Sequence, residues 1–557
     1  MFRQALLVTA CAAAALALFA CGGSDDPTST PAVSSQDALQ TATPIKHVVV
    51  IYGENISFDH YFGTYPNATN PSGEPAFTAK AGTPTPNGLT GTLLTANPNF
   101  TNTANGTDAA NPFRLDRTQA ATADQNHAYT AEQLAEDNGL ADLFPKYTGK
   151  GSSGGAGAFG TKGQVMGYFD GNTVTALWNY AQRFAMSDNT YTTVYGPSTP
   201  GALNVVSGQT NGMQVVKTSK QPSTLAATSY YINDGQGGFT MINDVDPGFD
   251  VCSSTTDQAM MSGKNIGDLL NGAKITWGGF MGGFNLSTTN GNGTTGCARS
   301  TVATAVNAAT ADYIPHHNWF QYYASTANPQ HTRPSSVAAI GSSLETDGKT
   351  AEPANHQYDS DDFFAAVKAG NFPSVSFLKA PAAQDAHAGY SDPLDEQAFV
   401  TKVVNFLQQQ PDWQNTAVIV TYDDSDGWYD HAYTAPTHAS SDAVDQVNGN
   451  GKCGSGGTTG VNGGTVNGRC GPGVRIPFVV ISPYAKQNYV DHTMLDQASV
   501  VRFIEDNWLG GQRIGGGSFD ATAGDLRALF DFSSKPNTAP LYLDPTQGTV
   551  LSAAPSI

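Results

Sequence analysis

Charge is scarce in this chain, and positive charge is scarcer still. Of 557 residues only 13% are charged, and 27 Lys and Arg stand against 47 Asp and Glu, a net charge of −20. So acidic a chain repels nucleic acid and anionic membrane surfaces, and neither is expected as a partner through bulk electrostatics. An anionic small substrate would need a local positive site, which a bound metal or a histidine cluster could supply. Cysteine is also rare: six residues, with Cys11 and Cys21 in the N-terminal segment and no CxxC spacing to support a zinc site. No GxSxG elbow is present, which removes the usual serine esterase. The glycine-rich "GKGSSGGAGAFGTKGQ" lacks GxxxxGK[ST] spacing and reads as a loop rather than a phosphate cradle. The one long apolar run, "ALLVTACAAAALALFA", is too short and too alanine-rich to span a bilayer. No internal repeat is evident.

That run follows Arg3 and reads as an export signal, residues 1–21. It ends in "LFACGGSDDPTSTP", which resembles a bacterial lipoprotein signal with lipidation at Cys21; ordinary cleavage nearby is the competing reading. Lipidation would attach the chain to a membrane, so the expected location is periplasmic, outer-membrane lipoprotein or secreted. Residues 22–43, rich in Ser, Thr, Asp, Pro and Ala, form a flexible tether. Four cysteines remain in this exported chain. Pairing Cys252 with Cys297 and Cys453 with Cys470 would close two Gly-rich excursions, although the count allows three connectivities.

With 39% hydrophobic residues and 60 glycines the chain can bury a large core and carry many loops. "KHVVVIY", "NTAVIVTYDD" and "IPFVVISPYA" read as buried parallel strands. "DEQAFVTKVVNFLQQQP" places Phe399, Val403 and Leu407 on one helical face and stops at Pro411. "DQASVVRFIEDNWLGG" does the same with Val500, Ile504 and Trp508. A sheet covered by helices on both sides follows, with its core in residues 44–210 and 360–512. The stretch from about 211 to 355 reads as a loop-rich insertion over the core, and 513–557 as a C-terminal extension in which only "DLRALFDF" resembles a helix.

Ligands of open parallel sheets bind beyond the carboxyl ends of the strands. The first strand ends in Glu54 and Asn55. The second ends in Asp423 and Asp424, followed by Asp426, Asp430 and His431. Such hard oxygen donors suit a divalent cation, although single acids in these places commonly cap helices or sit in solvated turns. Among the 11 histidines, His127, the adjacent pair His316 and His317, and His387 fall in polar stretches. Imidazoles there can bind phosphate oxygens or protonate a leaving group. His47, His60 and His356 read as structural or exposed. Ser198, in "YGPSTPGALNVVSG", sits in a Pro-rich turn ahead of a helix whose N-terminus would favour an alkoxide or an anion. A plain turn residue is the alternative.

Taken together, "IKHVVVIYGENISFDHYFGTYP", "GYFDGNTVTALWNYAQRFAMSDNTY" with the following "GPSTPG", "TYDDSDGWYDH" and "RIPFVVISPYAKQNYVDHTMLDQASVVRFIEDNW" resemble the bacterial phosphoesterase family of phosphocholine-type phospholipases C and related acid phosphatases. The resemblance implies an α/β fold, a three-layer α/β/α sandwich of alkaline-phosphatase-like kind with a large loop-rich insertion, in a catalytic domain over 44–512. It implies one divalent metal ion (Ca, Mg, Mn or Zn) held by Glu54, Asn55, Asp423 and Asp424, with Ser198 as nucleophile beside it. It also implies that His127, His316, His317 and His387 line the phosphate site, as in the acid phosphatase branch. Two departures are "YGEN" where many relatives have "QEN", and "DHAYTAP" where many have "DHVPPP"; the second leaves the loop after His431 without an assigned role. The expected activity is hydrolysis of phosphate monoesters through a phosphoserine. The alternatives are a phospholipase C that takes a phospholipid head group, and a non-catalytic surface lipoprotein on the same scaffold.

Overall fold

Seven consecutive buried residues, His47–Gly53, form strand β1 near the middle of an eight-stranded sheet in the computed structural model of the chain. The structure describes residues 35–216, 227–248, 250–254 and 258–556; the signal segment, Cys21 and most of the tether lie outside the described residues. The remaining strands are β2 (Ala185–Ser187), β3 (Trp277–Met281), β4 (Gln357–Asp359), β5 (Val375–Lys379), β6 (Thr416–Tyr422), β7 (Phe478–Ile481) and β8 (Tyr489–Asp491). Across the sheet they run β4-β3-β5-β1-β6-β7-β2-β8. All are mutually parallel except β7, which is antiparallel to both β6 and β2.

Every residue of β1, β5, β6 and β7 is buried, which requires cover on both faces. The helices that provide it or position the site are α1 (Phe58–Phe62), α2 (Tyr129–Ala135), α3 (Thr175–Arg183), α4 (Ser198–Ser207), α5 (Ile266–Ala273), α6 (Ser360–Lys368), α7 (Pro393–Leu407) and α8 (Ala498–Trp508). Neighbouring side chains at the end of the sheet show the two layers. Tyr52 of β1 meets Gln497, at the head of α8, at 3.2 Å, whereas Tyr422 of β6 turns the other way and donates to Glu396 of α7. Phe364 of α6 packs edge-on to Phe406 of α7 at 5.1 Å, and Ala176 of α3 donates to Gln397 of α7 at 2.9 Å. On the opposite side α4 packs against α8 and α5. The architecture is therefore an α/β three-layer sandwich.

Three expectations change. The run "IPFVVISPYA" forms β7, but reversed, because continuous burial of Phe478–Ile481 reports cover on both faces and carries no information on direction. The stretch 211–355 does not lie wholly outside the sheet: α5 and β3 belong to the core, with β3 paired between β4 and β5. The strand is hidden in "WGGFM" because Gly278 and Gly279 replace the usual β-branched residues. A Cβ on Gly278 would come within 2.7 Å of the Phe280 ring, and one on Gly279 within 2.8 Å of Gln357. The rest of the stretch includes a four-stranded antiparallel sheet of Asn211–Val216, Tyr231–Asn233, Phe239–Met241 and Gln258–Met261. Finally, "DLRALFDF" makes only one tight helical turn, Leu526–Leu529. The tail beyond it straps α7, where the Asn405 side chain exchanges two hydrogen bonds with the Leu543 backbone.

Both disulfides pair in sequence order, Cys252–Cys297 and Cys453–Cys470, with Cα separations of 5.3 and 5.8 Å. No helix among the described residues is long and apolar enough to cross a membrane.

Candidate active site

The carboxyl ends of β1, β5 and β6 meet at one edge, and each delivers charge there. β1 ends in Gly53, where a side chain would strike the Tyr422 ring at 2.6 Å, and the chain then turns sharply through Asn55 at φ +65°. Asn is among the few residues that tolerate that conformation. Glu54 and Asn55 are fully buried by the turn. Asp423 and Asp424 follow β6, and the Asn55 amide donates to Asp423 Oδ1 at 2.9 Å.

Ser198 begins α4, is 1% exposed, and donates to Glu54 Oε2 at 2.8 Å, with Asp424 Oδ2 at 3.3 Å. This approach depends on Gly201, one helical turn on, where a Cβ would sit 2.1 Å from the Asp423 carbonyl oxygen. The helix start does not serve as an anion cradle in the expected way. The Thr199 N–H and hydroxyl both donate to Asp244 at 2.9 Å, and Pro200 has no N–H.

The four histidines form a continuous run of rings: His316 to His317 at 4.6 Å, His317 to His387 at 6.2 Å, and His387 to His127 at 6.0 Å. His317 Nδ1 lies 3.2 Å from Glu54 Oε1, which ties the run to the acids. Charge divides along it. Burial works against protonation of His127, but Asp424 and Asp426 override it and hold the ring well above its ordinary pKa. His316 is raised in the same sense, Asp244 and Asp246 outweighing burial. Burial drives His317 well down, assisted by the charge of His316, and takes His387 down to about 4. Two rings are thus suited to hold protons and two to stay neutral. The outer rings also define the opening: His316 is 30% and His127 13% exposed.

Sequence reasoning missed Lys379, Asp385 and Asp246 here, and it named Asp426 in the acid cluster without giving it a partner. Lys379, the last residue of β5, is buried against Glu54 Oε1 and lies 5.4 Å over the Tyr52 ring. Burial opposes its charge, but Glu54, Asp423 and Asp385 hold it ionised. Asp385 is pushed up to about 8, chiefly by burial, and accepts from the His387 N–H at 3.1 Å. Asp426 accepts from the Asn55 side chain at 3.0 Å and lies 3.1 Å from His127 Nδ1. Asp246 lies 3.4 Å from His316 Nδ1. Lys379 had the same signal as Glu54, a polar residue closing a short apolar run, "VSFLK", but that run is not conspicuous beside β1, and Asp385 lies six residues further on in "APAAQD".

Asp430 and His431 belong elsewhere. With Asp59 they surround the buried Arg475, which lies 3.0 Å from Asp430 and 3.1 Å from Asp59. His60 is buried too, stacked on Trp428 at 3.9 Å and bonded to the Gly167 carbonyl at 2.7 Å.

The donor set suits a cation. Asn55 Oδ1 and Asp423 Oδ2 are buried without a hydrogen-bond partner among the described residues, a costly state for an amide oxygen and a carboxylate. Burial and the neighbouring Asp423 push both Glu54 and Asp424 well above the usual carboxylate range, so the acids resist ionising together. A divalent ion relieves both conditions. Glu54, His317 and Asp385 also place ligand atoms within 4.8 Å of one another, as do Asp124, His127 and His387.

A serine hydroxyl buried between carboxylates, with imidazoles nearby at the carboxyl edge of an α/β sheet, suits phosphoester chemistry. A sequence model of the Phosphoesterase family matches residues 45–509, and the chain belongs to that family. It is a hydrolase acting on phosphoric ester bonds. Among its relatives, Phospholipase C A of Mycobacterium tuberculosis is 24% identical over 91% of this chain and 81% of its own length. Hemolytic phospholipase C of Pseudomonas aeruginosa is 24% identical over 91% of this chain and 59% of its own. Non-hemolytic phospholipase C of the same organism reaches 34% identity, over 31% of this chain and 25% of its own. A crystal structure of a protein in the alkaline phosphatase superfamily from Vibrio parahaemolyticus overlaps 63% of this chain and 62% of its own at 12% identity, with a TM-score of 0.27.

Proposed function

We propose that this enzyme hydrolyses phosphate monoesters, with Ser198 as nucleophile and a phosphoserine intermediate. The observation that carries the reading is the run of four imidazoles joined to the Ser198 centre by the 3.2 Å approach of His317 Nδ1 to Glu54 Oε1, with its two outer rings pushed toward the protonated form by neighbouring acids. Glu54, Asn55, Asp423, Asp424 and Ser198 would hold one divalent ion. When bound, it supplies positive charge that favours the serine alkoxide and the phosphoryl oxygens. The Ser198 proton passes toward Glu54 Oε2, to which the hydroxyl already donates. Ser198 Oγ then forms a bond to phosphorus as the ester P–O bond breaks in line. His127 and His316 donate to the equatorial oxygens, and one of them protonates the departing alcohol. Water then displaces Ser198 from phosphorus, giving its proton to the imidazole that had protonated the alcohol, while Ser198 Oγ takes its proton back from Glu54 and phosphate leaves.

A second reading is favoured by the relatives named phospholipase C that align over 91% of the chain: the same centre would cleave a phosphodiester on the glycerol side of a phospholipid. Export, with Cys21 lipidated as a membrane anchor, belongs to the same proposal and rests on residues 1–21.

The test is an assay from pH 4 to 8 on p-nitrophenyl phosphate and on phosphatidylcholine, with and without chelator, alongside metal analysis of the protein. Monoester turnover with an acid optimum supports the first reading; lipid cleavage without monoester turnover replaces it with the second. Ser198→Ala should lower kcat by about 10³-fold or more. Near-normal turnover by that variant would remove the covalent route.

A further inference from the structure

Glu132, in the middle of α2, is 1% exposed and faces no cation closely enough to form an ion pair among the described residues. Its two oxygens serve two different segments. Oε2 accepts from the Gly196 backbone N–H at 2.9 Å, and Oε1 accepts from the Ser425 hydroxyl at 2.6 Å. Gly196 lies two residues before Ser198, and Ser425 directly follows Asp424.

Both segments need restraint at these points. Gly196 has φ +115°, a conformation closed to residues with a side chain, and its position would bring a Cβ to 3.2 Å from the Ile242 carbonyl oxygen. On the other side the Ser425 oxygen accepts from the Gly427 N–H at 3.0 Å, in a turn where Asp426 and Gly427 both have positive φ. α2 is itself anchored through Tyr129, whose hydroxyl donates to Asp445 at 2.7 Å and accepts from the Cys470 N–H at 3.0 Å.

We propose that Glu132 is a positioning residue, a single carboxylate that locks the nucleophile turn to the acid-bearing turn and so sets the separation of Ser198 from Asp424. The inference rests on the roles proposed for Ser198 and Asp424. Gln can replace it: the amide oxygen accepts from Gly196, and the NH₂ donates to Ser425, whose hydroxyl can reverse its direction. Asp cannot, because one methylene less leaves the carboxylate short of one partner.

The experiment uses the full chain stripped of metal. Mn²⁺ binding is measured by calorimetry for wild type, E132Q, E132D and E132A, and again with Ser425→Ala added, together with kcat and KM on p-nitrophenyl phosphate. E132A and E132D should bind Mn²⁺ about tenfold more weakly and turn over at least about tenfold more slowly at little-changed KM, while E132Q stays within about threefold of wild type on both. Ser425→Ala should add little to E132A, because both act through one contact. E132D with wild-type Mn²⁺ affinity and kcat, or E132Q as impaired as E132D, overturns the proposal. If E132A does not fold, the E132Q and E132D comparison decides alone. The Mn²⁺ titration does not depend on turnover, so failure of the Ser198 mechanism, read from Ser198→Ala, is distinguishable from failure of this one.

Discussion

At the scale of single residues, Gly201 shows how little room the site allows. Because a methyl there would overlap the Asp423 carbonyl oxygen, Gly201→Ala must shift α4 or the acid turn. The substitution should cost about 1–3 kcal/mol in urea unfolding, and should lower kcat/KM more than KM, because the displaced atoms are those facing Ser198. An unfolding midpoint and activity equal to wild type would show that the contact is not tight. The Arg475 cluster yields a pH dependence whose sign is fixed. Burial opposes charge on His431, but Asp59 and Asp430 raise its pKa above the ordinary value. A group raised by folding contributes fully below its unfolded pKa, about 6.5, and loses that contribution as pH climbs through the folded value. The stability gap between wild type and His431→Asn should therefore be widest below pH about 6.5 and narrow above it. Asp59 gives the opposite limb. His431 and Arg475 pull it below its ordinary value despite burial, so its contribution holds above about pH 3.9 and is lost as pH falls through the depressed value. Urea melts at pH 5.5 and 9 compare the two proteins, and a gap independent of pH would contradict the assignment.

At the scale of elements, the two disulfides differ in the chain they close, 17 residues for Cys453–Cys470 and 45 for Cys252–Cys297. Chain entropy gives about 3 kcal/mol for the first and about 4 kcal/mol for the second. Replacing each pair with serine should destabilise the protein in that order in denaturant melts. The shorter loop also bears on chemistry, since the Cys470 N–H bonds Tyr129 at the start of α2. The same elements show what was legible in the sequence. β1 and β6 announce themselves by β-branched runs ending in acids, and α7 and α8 by their apolar stripes, so the middle of the sheet and the meeting of Glu54, Asn55, Asp423 and Asp424 at its edge could be read directly. β3 could not be, because its glycines are chosen for the rings that cross them rather than for strand propensity. Nor could the direction of β7, since a strand buried on both faces looks alike either way. The partners of the histidines were out of reach for a different reason: Asp246 and Asp426 are ordinary loop acids until the fold brings them to His316 and His127.

At the scale of the whole molecule, a chain of charge −20 must admit an anion. The buried Lys379 and the partly exposed His127 and His316, both pushed toward their protonated forms, make the destination favourable, but the approach crosses a repulsive field. Raising ionic strength from 0.01 to 0.1 M shortens the screening length from about 30 to about 10 Å. The kcat/KM for p-nitrophenyl phosphate should therefore rise with salt while kcat stays level. A falling kcat/KM would mean that the opening itself is electropositive and steers substrate in.

The reversal of β7 has one further result. A strand parallel to its neighbours leaves the sheet at the catalytic edge and can hand a loop to the reaction. β7 instead arrives there, so the charged residue it brings lies ahead of it in the chain, Arg475, three residues before the strand begins. That guanidinium holds Asp430 and Asp59, and through its donations to the carbonyls of Asn87 (2.8 Å) and Asp188 (2.7 Å) it joins four separate stretches of chain. The incoming strand thus works as a keystone for the rim, leaving the chemistry to the outgoing ones.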